Sequence, residues 1–134
     1  MAKNLLVDTG FWFALYESDD FHHEEAQDLA DLLDDYNLVL PWPCLYETLN
    51  TRFVRHRHWL DNFYDCANRS TTVRLPDEPY RNNALGKVFK SPRPWLPLSL
   101  VDEVIMLALL DPNTKIDAML TFNLRDFFHA CNSR

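Results

Sequence analysis

Four carboxylates stand where an apolar strand gives way to a helix, or where a helix begins. Asp8 closes the apolar run Leu5-Leu6-Val7, and Glu47 lies in the first turns of the helix expected after the second strand. Asp102 lies in the first turn of a helix opened by Ser99, and Asp126 follows the last strand, three residues beyond Asn123. In an open parallel α/β sheet, ligands bind beyond the carboxyl ends of the strands. Asp8, Glu47 and Asp126 take that address from chain order alone, and Asp102 joins them if its helix starts on the same side. Converging carboxylates suit Mg²⁺ or Mn²⁺, hard ions that prefer oxygen ligands and keep several waters. A bound ion makes hydroxide available near neutral pH and neutralises charge on a phosphodiester under in-line attack. Without it the carboxylates would repel one another, a cost that helix N-termini partly offset.

Each acid also has a simpler explanation, because acids are favoured at helix starts in any case. Ser99-Leu100-Val101-Asp102 reads as a capping box, and Asn123 can cap a final helix with Asp126 in its first turn. Asp8 resists this reading best, since an acid that ends a buried strand is costly unless something uses its charge.

The elements that must position these acids follow from hydrophobic spacing. Asn4 to Val7 reads as a buried strand, Thr9 to Tyr16 as a short helix capped by Asp8, and His23 to Tyr36 as one amphipathic helix with an acidic outer face. Leu38 to Leu40 is a second strand. Pro43 then suits the first turn of a helix with Leu45, Leu49 and Phe53 on one side, and another helix runs from Trp59 to Ala67. Thr71 to Leu75 is a third strand. Pro79 opens a helix with Ala84, Leu85 and Val88 inward, and Ser91 to Pro97 is a rigid proline-rich loop. From Ser99 a helix turns Val101, Val104, Ile105 and Ala108 to the core and ends at Asp111-Pro112-Asn113. Ile116 to Thr121 is the last strand and Leu124 to Ala130 a final short helix. Strands alternating with helices imply an α/β fold with a parallel sheet covered on both faces.

The chain's 134 residues suit one domain, and 47% hydrophobic with 25% charged residues indicates a globular, soluble protein. No apolar run reaches membrane-spanning length and the N-terminal run is too short for a secretory signal, so the expected compartment is the cytoplasm. Cys44, Cys66 and Cys131 are far apart and odd in number, which argues against a disulfide framework or a cysteine zinc site. With only Gly10 and Gly86, the P-loop and the dinucleotide fingerprint are excluded. A net charge of -7 excludes a general nucleic-acid coat protein but suits a cation site or a basic partner segment.

Four blocks in order resemble a PIN domain, and specifically the VapC-type ribonuclease toxins. They are Leu5-Leu6-Val7-Asp8-Thr9; Tyr46-Glu47-Thr48-Leu49; Leu100-Val101-Asp102-Glu103-Val104-Ile105 with Ala108-Leu109; and Leu120-Thr121-Phe122-Asn123-Leu124-Arg125-Asp126-Phe127. His22-His23-Glu24-Glu25-Ala26 is a weaker echo. The resemblance covers nearly the whole chain and implies a three-layer PIN-like α/β fold, with a central parallel sheet of four to five short strands flanked by helices in a single domain over residues 1–134. It implies metal-dependent RNA cleavage, often by a dimer held in check by an antitoxin. Asp8, Glu47 and Asp102 match the family's first three acids, with Asp8 and Asp102 the main Mg²⁺ ligands and Thr9 orienting Asp8 or a water. Many relatives carry an acid where this chain has Asn123. Asparagine is also common there when an acid follows three residues on, as Asp126 does.

Arg52 and Arg55, one turn apart and followed by His56, Arg57, His58 and Trp59, form a candidate RNA-contact patch, as does Arg125 beside the proposed site. A solvated helix end explains the first group equally simply. Adjacent His22 and His23 point apart on a helix, which favours packing over metal binding. Asp8-Thr9-Gly10 also resembles an aspartic-protease triplet, but the helical periodicity around it argues against that all-β fold. A haloacid-dehalogenase phosphatase would need an aspartate at Gly10. The remaining rival is a PIN fold with a weakened site that binds RNA or protein, a reading that Asn123 favours.

Overall fold

The computed structural model describes residues 2–90 and 98–123. Two compact units can be distinguished, Met1–Leu75 with Ile116–Phe122 and Pro76–Lys115 with Asn123–Arg134. The first holds β1 (Asn4–Val7), α1 (Thr9–Tyr16), α2 (His23–Leu29), α3 (Leu32–Asp35), β2 (Asn37–Pro41), α4 (Trp42–Thr48), α5 (Thr51–Val54), α6 (Arg57–Ala67), β3 (Val73–Leu75) and, late in the chain, β4 (Ala118–Leu120). Between β3 and β4 in the chain, the second holds α7 (Arg81–Lys90) and α8 (Leu100–Leu110).

The four strands form one parallel sheet in the order β3-β2-β1-β4. The apolar runs explain the pairing, since Leu5 lies opposite Leu38 on one side and Ala118 on the other. Leu5, Val7, Leu38 and Leu40 face a core shared with Phe11, Trp12, Leu45, Phe53 and Phe63. Leu6 and Val39 face the other way and are buried too, so both faces of the central strands are covered. The expected parallel α/β sheet is therefore present. Among the described residues no helix is long and apolar enough to cross a membrane.

Local chemistry redraws several boundaries. The single helix expected over 23–36 is two, α2 and α3. Around Ala30 the backbone tightens to i, i+3 bonds, with Ala30 N–H donating to Gln27 and Leu33 N–H to Ala30, and Leu33 turns into the core. The helix expected from Pro43 through Phe53 is also two. Asn50 interrupts it as an N-cap, its side-chain oxygen accepting from Phe53 N–H at 3.0 Å. The third strand starts at Val73 because the Thr72 hydroxyl bonds the Cys66 carbonyl at 2.7 Å, holding the preceding residues in a turn. Cys44 and Cys66 are buried free thiols.

In the second unit, α8 opens with the expected capping box. Ser99 Oγ accepts from Asp102 N–H at 3.1 Å, and Asp102 Oδ2 accepts from Ser99 N–H at 3.3 Å. Buried Tyr80 donates its hydroxyl to Asp111 Oδ2 at 2.8 Å, tying the start of α7 to the end of α8. The Asn113 N–H and this hydroxyl hold the Asp111 carboxyl below its usual range. Burial, with the Asp111 contact, pushes the Tyr80 phenol up to about 12. Ala84 packs inward as its spacing requires, but Leu85 is 44% exposed, contrary to the inward position expected for it.

Candidate active site

The strand order fixes where a ligand crevice can open. From β1 the chain steps outward to β2 and β3, then returns to place β4 on the other side of β1, so the order reverses between β1 and β4. Ligands bind outside the carboxyl ends of strands at such a switch point. Asp8 directly follows β1 and Thr121 directly follows β4. The Thr121 hydroxyl donates to Asp8 Oδ2 at 2.9 Å across that switch.

Asp8 caps α1 from extended backbone, its Oδ1 accepting from Thr9 N–H at 2.8 Å. The cap places a half-buried carboxylate at the positive end of a helix dipole. The Cys44 thiol, donated from α4, lies 4.0 Å from the same oxygen. Burial, reinforced by the Asp8 and Glu47 charges and opposed by a hydrogen bond with Thr9, pushes that thiol up to about 12, so it stays protonated near neutral pH.

Thr9 joins the second acid to the first. Its hydroxyl donates to Glu47 Oε1 at 2.9 Å although 38 positions separate the two residues, and the Cys44 carbonyl at 3.5 Å is the poorer acceptor. Glu47 does not stand at a helix start as expected. α4 ends at Thr48, so Glu47 lies in its last turn, where the dipole disfavours an acid. Helix capping therefore cannot explain Glu47, whereas the Thr9 contact ties its carboxylate to the residue that follows Asp8.

The other candidates are placed as follows. Asp102 sits at the third position of α8, half-buried, with its carboxylate engaged in the capping box. Asn123 is half-buried. Asp126 and Arg125 lie outside the described residues. Arg52 is held by both guanidinium nitrogens on Glu17 Oε2, at 3.1 and 2.8 Å, and lies over the Phe13 ring at 4.7 Å. Arg55 is exposed at the end of α5. His23 Nδ1 bonds the Ala14 carbonyl at 2.8 Å and His22 stacks on Phe122 at 4.3 Å, so both serve packing. Among the described residues no group of three or more His, Cys, Asp or Glu side chains is arranged to hold a metal ion. The Asp8 and Glu47 carboxylates are hard oxygen donors, and Mg²⁺ commonly needs only one or two carboxylates beside water and phosphate.

Two contributors escaped the sequence reading, Thr121 and Cys44. Thr121 looks like one more β-branched strand residue; the only available signal was its place, immediately after a strand in the block that also carries Asn123. If Asp8 holds a divalent ion, Thr121→Val, which removes the hydroxyl at nearly constant shape, is expected to weaken Mn²⁺ binding about tenfold, whereas Thr121→Ser recovers most of it. The check is a calorimetric Mn²⁺ titration of both variants. Equal Mn²⁺ affinity in Thr121→Val would remove Thr121 from the site.

No protein-family model matches the chain, and no curated protein matches it in sequence. Solved structures do. The crystal structure of Mycobacterium tuberculosis VapC20, described as a sarcin-ricin loop cleaving toxin, superposes with a TM-score of 0.71 over 94% of this chain and 94% of that one, at 20% sequence identity. The likeness is one of fold: the chain has the PIN-like α/β architecture that its four acidic blocks imply.

Proposed function

We propose that this chain is a metal-dependent endoribonuclease hydrolysing RNA phosphodiester bonds, and that it is the toxin of a toxin–antitoxin pair. The observation that carries the proposal is the Asp8–Thr9–Glu47 connection beyond the strand ends, in a chain folded like a toxin that cleaves the sarcin-ricin loop. The donor chemistry fits Mg²⁺ or Mn²⁺, with Asp8, Glu47 and Asp102 as proposed ligands and Asp126 completing the acidic set. When bound, the ion activates water and offsets the charge that builds on the scissile phosphate.

The protein's own part is preorganisation. Thr9 N–H and the Thr121 hydroxyl each hold one Asp8 oxygen, which fixes the carboxylate plane before any ligand arrives. The Thr9 hydroxyl holds Glu47 Oε1, and the carboxylate so placed is proposed to orient water or accept a proton. Asn123 is proposed as a supporting polar group, and Arg55 and Arg125 as phosphate contacts. Arg52 is a weaker candidate, because an RNA contact would compete with its pairing to Glu17.

The same proposal places the protein in the cytoplasm with an antitoxin partner, as one domain that forms a homodimer. Support for a protein partner comes from the outer side of α6, where Tyr64 is 64% exposed. Leu49, Leu60, Phe63 and Tyr64 line an apolar groove there of about 440 Å³.

The test is incubation with structured RNA and Mn²⁺ or Mg²⁺. Cleavage is expected with either ion, lost on adding EDTA and restored by excess metal. RNA binding without cleavage under every metal condition would reject the nuclease and leave a binding module.

A further inference from the structure

Resting on the nuclease reading for the substrate's identity, we infer that the exposed face of α7 is a surface for a single-stranded segment of RNA. Charge is unevenly spread along this acidic chain. Between Lys3 and Arg52 there is no lysine or arginine, and most of the acids fall there. α7 reverses the pattern: Arg81, Lys87 and Lys90 lie within it and no acid does. A polyanion is repelled by the first stretch and attracted by the second.

The face that α7 turns to solvent carries a matching set of groups. Phe89 is 79% and Leu85 44% exposed, one helical turn apart, with Asn82 exposed one turn earlier on the same side. Gly86 lies beside them, and a Cβ there would meet nothing within 4 Å, so packing does not require glycine. Its missing side chain leaves a shallow strip next to the Phe89 ring. The helix dipole accounts for cations in the last turn but not for an exposed phenylalanine between Lys87 and Lys90. Arg81 is partly committed, donating to Asp77 at 2.9 Å, and half-buried Lys87 lies two positions from Phe89 on another side of the helix, which leaves exposed Lys90 as the principal phosphate contact.

A flat aromatic face with a cation and an amide beside it is the equipment single-stranded nucleic acid requires. Bases stack on the ring, Lys90 holds a neighbouring phosphate, and an asparagine reaches a base edge or a 2′-hydroxyl. A purely apolar protein partner would gain nothing from the lysine and the asparagine, so RNA uses more of what this face offers.

The experiment reads binding apart from cleavage. The full chain carrying Asp8→Asn is titrated in EDTA with a short fluorescent unpaired RNA at increasing salt. Phe89→Ala is expected to raise Kd about tenfold, Phe89→Trp to preserve it, and Lys90→Gln to reduce the slope of log K against log salt by about 0.7. Circular dichroism and thermal melting confirm that each variant is folded. Unchanged Kd and slope across Phe89→Ala and Lys90→Gln would overturn the inference, as would absence of RNA binding by the parent. An unchanged Kd with altered oligomeric state in Phe89→Ala would assign the face to a second copy instead. Because EDTA removes the ion, failure of metal-dependent cleavage would reject the nuclease reading while leaving RNA binding through Phe89 intact.

Discussion

Asp8→Asn is expected to lower RNA cleavage at saturating Mn²⁺ by at least about 10³-fold, or about 4 kcal/mol of transition-state stabilisation. The substitution keeps the side chain's shape and removes its charge. Asparagine caps helices about as well as aspartate, so α1 should keep its start and Tm should move by only a few degrees. The amide oxygen can still accept from Thr9 N–H, and the Thr121 hydroxyl can rotate to accept from the amide nitrogen instead of donating. What disappears is the anionic oxygen pair that would grip a divalent ion. If the protein is a toxin, expression without a partner slows growth, and both Asp8→Asn and Asp102→Ala relieve the effect. Cleavage by Asp8→Asn within tenfold of the natural rate, or growth inhibition by either variant equal to that of the unaltered chain, would sink the mechanism.

The sequence revealed the site unevenly, for physical reasons. Asp8 stood out because an acid at the end of the buried run Leu5-Leu6-Val7 is costly unless something uses its charge, although it also caps α1. The Ser99–Asp102 capping box was legible because it is encoded over four consecutive residues, and both of its hydrogen bonds are present. Glu47 was found by its block, but its helix was misjudged: Asn50 offered the backbone a local cap that ended one helix and began another. A hydrophobic period that runs across such an asparagine does not register the break. Thr121 and Cys44 were hidden because their roles depend on which strand neighbours which. The reversal that sets β4 beside β1 is a property of the sheet, not of any segment. Leu85 was assigned inward by spacing alone, yet α7 buries a narrower stripe centred on Ala84.

The same dependence on distant partners governs stability, and Phe53 concentrates it. α5 is four residues long, too short to persist on its own helical bonds, and it is anchored by the Asn50 cap and by one fully buried ring. That ring stands 5.5 Å from Phe13, 5.9 Å from Tyr16, 5.6 Å from Trp59 and 5.8 Å from Phe63, so α1, α5 and α6 meet on it. Most of these pairs are edge-on or tilted, the geometry in which aromatic quadrupoles attract. Phe53→Ala deletes the ring from the centre of a rigid cluster that cannot readily collapse around the gap. The expected loss is about 3–5 kcal/mol, a large share of the roughly 5–15 kcal/mol that holds a domain folded, with Tm falling on the order of 15 °C. Phe53→Leu refills part of the volume and is expected to cost less than half as much. Tyr64→Ala, on the exposed side of α6, should stay within about 0.5 kcal/mol. Urea titrations of the three variants give the comparison. A Phe53→Ala midpoint indistinguishable from that of Tyr64→Ala would mean that the aromatic cluster does not hold α5 in place.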